Sequence, residues 1–284
     1  MDAVKSFFVS IYGNKRAFAG FLVLSALVLI AAIGPLVFTL DTGTDFEGRY
    51  APPSFHHLLG TDYVGRDLFI QLVYGARDVL IIGILGGLAT VVLGFTIGAV
   101  AGYSSPSVDG KIMFVTNLFL TVPSFSLMII LAAFIKLSHP LILVAVIAGL
   151  SWASLARSVR SQILSLKHRE FITVCNVMGY NRFQIIFSEL LPNLVSYLAI
   201  AFVEAMRGAV NSSSMLILMG FAPFAPTHWG TIQNIAISQA AGAFEPKTLI
   251  YLFSPIVCFT LLQTASVFFA GGLDEALNPR LRKH

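Results

Sequence analysis

The chain has 284 residues, of which 56% are hydrophobic and only 11% are charged, and its formal net charge is +4. A water-soluble domain carries about 25% charged residues, so the composition excludes an ordinary soluble protein and predicts an integral membrane protein. The modest positive charge gives no reason to expect a nucleic-acid partner.

Six apolar segments are long enough to be membrane spans. A helix needs about 20 mainly apolar residues to cross a bilayer. Because backbone in lipid must satisfy its own hydrogen bonds, the segments predict six transmembrane helices in an all-α protein. The segments are Ala17–Phe38, Val79–Tyr103, Lys111–Ile135, Pro140–Ala156, Leu194–Phe221 and Thr248–Ala270.

The distribution of Lys and Arg predicts that both termini are cytoplasmic. With the N-terminus inside, twelve Lys and Arg residues lie in cytoplasmic segments and five in external ones, as the positive-inside rule requires. The first span is longer than the core of a signal peptide and no small-x-small cleavage site precedes Asp41, so we expect it to be retained. Cys175 and Cys258 fall on a loop and in the last span, which predicts no disulfide.

These spans divide the chain into successive regions. The N-terminal region carries apolar residues at helical spacing followed by Lys15 and Arg16, which is typical of an amphipathic helix on the inner leaflet. The predicted regions are an amphipathic N-terminus (1–16), a first span (17–38), an external segment (39–78), a five-helix domain (79–270) with a cytoplasmic loop (157–193) and an external segment (222–247), and a cytoplasmic tail (271–284).

The second span carries small residues at every fourth position. Small residues at this spacing form a groove that allows another helix to approach closely. We therefore expect this span to pack tightly within the chain. The residues are Gly86, Thr90, Gly94, Gly98 and Gly102.

The semi-polar segment 170–193 interrupts the apolar spans. Its first apolar residues recur at i, i+3, i+4 and i+7, which predicts a short helix with one apolar face, and Gly179 follows where a C-capping glycine belongs. The residues alone allow two interpretations: a helix that docks into a groove on a partner protein or an amphipathic segment on anionic lipid. The apolar residues are Phe171, Val174, Cys175 and Met178.

The same segment resembles the cytoplasmic coupling loop of ABC importer permeases. That motif consists of a Glu, two alanines, a Gly and a Leu-Pro pair, and here Val174 and Cys175 stand in place of the alanines. The resemblance implies that the residues coupling this chain to an ATPase are Glu170, Phe171, Val174, Cys175, Met178, Gly179, Arg182 and Pro192.

Three further stretches resemble the dipeptide/oligopeptide/nickel permease family. They are LGTDYVGRD with YGAR (59–77), PTHWG (226–230) and LDEALNPRLR (273–282). With the coupling loop they cover nearly the whole chain in the order of that family, and the chain resembles the second of the two permeases in such importers. The implied external signature is Gly60, Thr61, Asp62, Gly65, Arg66 and Asp67.

The resemblance implies a type I ABC importer-like permease in the plasma membrane. Its implied partners are a paralogous permease, two ATP-binding subunits, an extracellular substrate-binding protein and membrane lipids. ATP and Mg would bind to the partner subunits, so neither a cofactor nor enzymatic activity is expected in this chain, which has no complete phosphate-binding loop. Di- and oligopeptides are the implied solutes, with cello- or other oligosaccharides as the alternative.

Glu204 and Arg207 lie one helical turn apart in the fifth span. Charges at bilayer depth face a water-filled path or each other, and both interpretations stay open for this pair. With Asn211 and Ser212 they are the candidate residues of a translocation path. Trp229 is expected as an anchor at the membrane interface.

Other functions have less support. Adjacent histidines at 56 and 57 point apart and have no third ligand nearby, so no metal site is predicted. A self-contained secondary transporter would need inverted repeats and intramembrane carboxylates, but the sequence has no visible repeat. A membrane enzyme would need a cluster of catalytic groups at one membrane face, where we find only scattered carboxylates and histidines.

Overall fold

The computed structural model of the chain describes residues 12–239 and 248–277. Within these ranges the chain is helical, and its only β pairing is an isolated bridge between Thr61 and Asp67. The helices are α1 (Lys15–Val37), α2 (Leu68–Tyr103), α3 (Pro106–Thr121), α4 (Ser124–Phe134), α5 (Pro140–Leu166), α6 (Glu170–Val177), α7 (Arg182–Gln184), a π-helix (Ile185–Leu190), α8 (Leu191–Leu218), α9 (Trp229–Gln239) and α10 (Leu249–Leu277).

Five helices of the described chain are long and apolar enough to cross a membrane, and a bent pair makes a sixth candidate span. The five are α1, α2, α5, α10 and the continuous run from α7 through α8, while α3 and α4 form the bent pair. The all-α membrane fold with six candidate spans is therefore confirmed.

The third span is not the single helix that the sequence predicts over Lys111–Ile135. It consists of α3 and α4, which meet at an angle of 82°. Proline lacks a backbone N–H and disfavours helical geometry in the residue before it. Accordingly Val122 is extended, with φ −93° and ψ 130°, and Pro123 is the N-cap of α4.

Several helices extend past the predicted spans. Helix α2 begins at Leu68, eleven residues before Val79, and its 36 residues give a length of about 54 Å, well beyond the roughly 30 Å hydrocarbon core. Helix α5 continues past Ala156 to Leu166, and α10 continues into the predicted tail. Residues 1–11 of the predicted amphipathic N-terminus, 240–247 of the external segment and 278–284 of the tail lie outside the described residues.

Helix α2 is the centre of the bundle, and its glycines set how closely the neighbouring helices approach. An added Cβ at Gly94 would lie 2.9 Å from the Leu155 side chain of α5, and one at Gly87 would lie 2.8 Å from the Met206 nitrogen of α8. The predicted close packing is confirmed, with two further glycines, Gly83 and Gly87. The set facing α5 is Gly94, Gly98 and Gly102, and the set facing α8 is Gly83, Gly86 and Gly87.

We call the end of the bundle where α2 and α5 end, and where Arg160 and Lys167 lie, the basic end. Polar contacts tie α3 to α5 there. Arg160 donates two hydrogen bonds to the Asp109 carboxylate, both at 2.5 Å. The opposite end, called the loop end, carries residues 38–67 and α9.

Candidate functional site

Helix α6 ends in a turn that requires glycine. Gly179 has a φ of +79°, a conformation that L side chains rarely adopt. Its N–H donates to the Asn176 carbonyl at 3.1 Å, while the Tyr180 N–H reaches back to the Cys175 carbonyl at 3.0 Å. These bonds form a Schellman motif. No atom of the described chain lies within 4 Å of a Cβ built at Gly179, so backbone conformation rather than space requires the glycine.

The chain re-enters the bundle through α7 and the π-helix. The Asn181 side chain accepts from the Gln184 N–H and the Gln184 side chain accepts from the Asn181 N–H, both at 2.8 Å, which is a capping box. The π-helix ends just before Pro192, which has no N–H to donate to the preceding turn. The predicted helix, glycine turn and second helix are therefore present.

Helix α6 has one buried and one exposed apolar face. Ile172 and Cys175 are 1% and 8% exposed and pack into a core cluster with residues of α2, α5 and α8. Cys175 therefore faces inward and is not on the docking face that the sequence predicts. Phe171 is half-buried against the same cluster. The buried face fixes α6 to the bundle.

Three exposed apolar side chains lie on α6 and its C-cap, and we call these three the α6 face: Val174 (55% exposed), Val177 (85%) and Met178 (64%). The sequence prediction included Val174 and Met178 but missed Val177, although its spacing of three residues from Val174 places it on the same face. Glu170 lies in the first turn of α6, where its negative charge interacts favourably with the positive end of the helix dipole. Arg182 and Pro192 are exposed nearby in the chain.

The GTDYVGRD signature at the loop end is a tightly folded turn. Gly60 and Gly65 have φ of +76° and +86°, and an added Cβ at either would collide with a backbone carbonyl oxygen. Asp62 is 1% exposed. It accepts from the N–H groups of Val64 (2.9 Å) and Arg66 (2.8 Å) and from Gln71 Nε2 (2.9 Å).

The other signature side chains hold neighbouring segments. Thr61 accepts from the Ala51 N–H at 2.8 Å, and Arg66 donates to the carbonyls of Gly43 and Thr42, both at 2.9 Å. Asp67 caps α2 and contacts His57 Nδ1 at 2.9 Å. The described residues contain no group of three potential metal ligands. The signature thus organises the segment before α2.

Replacing Asp62 with Ala is expected to unfold the loop segment. Three donors would lose their acceptor, and the one buried donor, Gln71 Nε2, would by itself cost about 1–3 kcal/mol. Limited proteolysis of the purified protein should then cleave within residues 41–67 much faster than in the wild type. Asp41→Ala is the control, because Asp41 is exposed and, among the residues that the structure describes, accepts only from the Gly43 N–H. Equal cleavage of the two variants would contradict this role.

The PTHWG segment fixes α9 against α2. Trp229 is 1% exposed and its Nε1 donates to the Leu72 carbonyl at 2.9 Å, so it is a core residue and not the predicted interfacial anchor. His228 is also buried, and its Nδ1 accepts from the Gly230 N–H at 3.1 Å. Burial lowers the pKa of His228 to about 3, so the ring is neutral at physiological pH.

A cavity of about 410 Å³ lies between α2, α5 and α8. Its wall combines hydroxyl groups, small or aliphatic side chains and one carboxylate. Of the four candidate path residues, Glu204 and Ser212 line this cavity. The lining residues are Thr90, Ser151, Ser154, Leu155, Ser158, Tyr197, Ile200, Ala201, Glu204, Ala205, Gly208, Ala209 and Ser212.

The other two candidate path residues connect α8 to α10. Arg207 Nη1 donates to both Glu204 carboxylate oxygens at 2.9 Å, and Arg207 Nε donates to Gln263 Oε1 at 3.1 Å. Gln263 Nε2 donates to Asn211 Oδ1 at 2.9 Å. The charges therefore pair with each other, and Glu204 also faces the cavity.

Comparisons with known proteins identify the family. The model of the family described as "Binding-protein-dependent transport system inner membrane component" matches residues 94–283. The chain is 30% identical to the dipeptide transport system permease protein DppC of Bacillus subtilis, over 95% of this chain and 83% of that protein.

Two oligopeptide transport system permease proteins named OppC give similar results. The protein of Haemophilus influenzae is 30% identical over 99% of this chain and 88% of its own length. The protein of Mycobacterium bovis is 32% identical over 95% and 92%. The chain therefore belongs to the family of binding-protein-dependent transport system inner membrane components, and its helical bundle with several candidate membrane spans agrees with that membership.

Proposed function

We propose that this chain is a permease subunit of an ATP-driven, binding-protein-dependent importer and forms half of a translocation path for di- and oligopeptides. The observation that carries the proposal is similarity over nearly the full chain to relatives named as dipeptide and oligopeptide transport permeases. The cavity between membrane helices, which carries several hydroxyl groups and one carboxylate on a mainly apolar wall, supports a transport path.

The proposed complex contains a paralogous permease, two ATP-binding subunits and an extracellular substrate-binding protein. ATP and Mg bind to the ATP-binding subunits. The basic end faces the cytoplasm by the positive-inside rule, which puts the loop end outside. The α6 face then meets an ATP-binding subunit, in the mode of an apolar helix face docked in a groove.

The contacts of α6 suggest how ATP binding moves the spans. Ile172 and Cys175 bury one face of α6 in the same cluster as Val159 of α5, and the Tyr103 hydroxyl at the end of α2 donates to Asn176 Oδ1 at 3.2 Å. A pull on α6 therefore displaces the ends of α2 and α5. Movement of packed helices in this way is a common mode of switching.

The relatives also bear on the alternatives. Those compared above are named for dipeptides or oligopeptides, which favours peptides over cello- or other oligosaccharides. Membership of a binding-protein-dependent family favours a multi-subunit importer over a self-contained secondary transporter.

Reconstituted transport tests the proposal. Proteoliposomes would hold this chain, the paralogous permease, the ATP-binding subunits and the binding protein, and would be offered labelled dipeptide or labelled cello-oligosaccharide with and without ATP. We expect ATP-dependent uptake of the dipeptide. Uptake of the sugar alone would overturn the assignment of peptides as the substrate. Uptake without ATP would overturn the assignment of the chain to an ATP-driven importer.

A further inference from the structure

We infer that the cavity between α2, α5 and α8 is a solute-binding subsite of this chain, and that Glu204 receives the terminal ammonium group of a transported peptide. The inference rests on the proposed function and adds to it a site and the chemical group recognised. Four features of the cavity support it.

The first feature is a fork in the helix packing. The glycines at 94–102 of α2 hold α5, and those at 83–87 hold α8. Thr90 lies between these two sets, where α5 and α8 separate and the cavity lies. The position of the cavity therefore follows from the main packing of the bundle.

The second feature is an unpaired hydroxyl group on a buried residue that lines the cavity. Thr90 is only 4% exposed and lines the cavity, yet its side chain forms no hydrogen bond with any other part of the chain that the structure describes. Buried polar groups are nearly always hydrogen-bonded in native proteins. A solute or water in the cavity would supply the missing bond. Ser151 and Ser212 line the same wall from α5 and α8.

The third feature is the geometry of the carboxylate. Both Glu204 oxygens contact a single Arg207 nitrogen, and the Glu204 side chain is 57% exposed. A carboxylate accepts about four hydrogen bonds, so Glu204 retains acceptors for a further donor. Arg207 is itself held by Gln263 on α10. The pair therefore offers negative charge to the cavity and keeps the positive charge at the α10 contact.

The fourth feature is the size and wall of the space. Sites for small molecules occupy about 300–1,000 Å³ and combine apolar walls with a few placed polar groups. The volume of about 410 Å³ lies in this range. Gly208 lines the cavity, and a Cβ built there meets no atom of residues 12–239 or 248–277 within 4 Å. Ammonium donors suit a carboxylate with nearby hydroxyl acceptors, whereas a neutral sugar would leave the charge unused.

The first test fills the cavity. Gly208→Leu adds a side chain that enters open space, while Gly149→Leu is a matched control, because Gly149 also lies in a membrane helix, has nothing within 4 Å of an added Cβ and does not line the cavity. Each variant would be assembled in the complete complex and reconstituted. The readouts are labelled dipeptide imported and ATP hydrolysed in the presence of the binding protein.

We expect Gly208→Leu to keep ATP hydrolysis within about twofold of wild type but to import roughly tenfold less dipeptide per ATP. Gly149→Leu should match the wild type in both. Glu204→Gln should also lower dipeptide per ATP by roughly tenfold, the effect of losing one charge-assisted hydrogen bond. A wild-type ratio of dipeptide imported to ATP hydrolysed in Gly208→Leu would overturn the assignment of the cavity as a solute-binding subsite. Loss in Gly208→Leu without loss in Glu204→Gln would overturn the assignment of the ammonium group.

The second test needs no variant. A dipeptide with a diazirine in its N-terminal side chain would be photolysed during turnover of the wild-type complex, and the crosslinked fragments would be mapped by mass spectrometry. We expect crosslinks within residues 151–158 and 200–212 of this chain. Crosslinks elsewhere only, in a complex that imports dipeptide, would overturn the subsite. Absence of dipeptide uptake by the wild type would instead overturn the proposed function.

Discussion

Replacing Val177 with Asp is expected to reduce ATP-driven uptake at least tenfold while leaving the chain folded and inserted. Val177 is 85% exposed on the α6 face, so a carboxylate there stays in water in the isolated chain. In the docked complex the same carboxylate would be buried without a partner. Burying an unpaired charge costs several kcal/mol, and about 1.4 kcal/mol already corresponds to tenfold.

The measurement compares uptake and complex assembly. Ser165→Asp is the control, because it adds the same charge at the exposed basic end of α5 without touching the α6 face. We expect Val177→Asp to lose co-elution with the ATP-binding subunits on size exclusion, and Ser165→Asp to retain both co-elution and uptake. If Val177→Asp bound and transported like the wild type, α6 would not be the docking helix.

The membrane fold could be predicted because one rule dominates it. Runs of about 20 apolar residues must be helical in lipid, and the apolar segments of the sequence correspond to helices in the described chain. The ends of the helices were less predictable. Helix α2 extends towards the loop end as far as Leu68, because Asp67 caps it by accepting a hydrogen bond from the Ile70 N–H, and hydropathy does not detect a cap. The break at Pro123 has a local signal, the proline itself, but the proline lies inside a continuous apolar segment that predicts one helix.

The structure of segment 170–193 was predictable in outline because its signals are local. Apolar residues at helical spacing and a glycine at the position of a C-cap are both visible in the sequence. Which face of α6 turns inward depends on its packing against α2 and α5, so Cys175 was assigned to the wrong face. Val177 is a different case, because its spacing of three residues from Val174 is a local signal that places it on the exposed face.

The candidate path residues show a similar limit. Glu204 and Ser212 are separated by two helical turns and face the cavity, while Arg207 and Asn211 are one turn apart and face Gln263. The periodicity of 3.6 residues separates these two faces of α8. It does not tell which of them borders a cavity, because the cavity depends on where α5 and α8 diverge from α2.

Replacing Gly98 with Leu should prevent the bundle from forming its native core. The Cβ alone would collide with the Ala156 carbonyl oxygen and lie 2.9 Å from Val159 Cβ, and the rest of the leucine would enter the same contact. Because α5 meets α2 through its backbone here, no side-chain rotation can relieve the clash, and α5 must move. Overpacking of a core costs about 1–3 kcal/mol or more.

Thermal stability in detergent, followed by fluorescence-detected size exclusion, measures the effect. We expect Gly98→Leu to elute as aggregate or to lose its monodisperse peak well below the wild-type temperature, and Gly98→Ala to lie between the two. Gly149→Leu on the opposing helix α5 should behave like the wild type, because an added Cβ there meets nothing within 4 Å. The same leucine at two glycines thus separates close helix contact from a general intolerance of bulk in the membrane. Equal stability of both leucine variants would mean that α2 and α5 are not held together at Gly98.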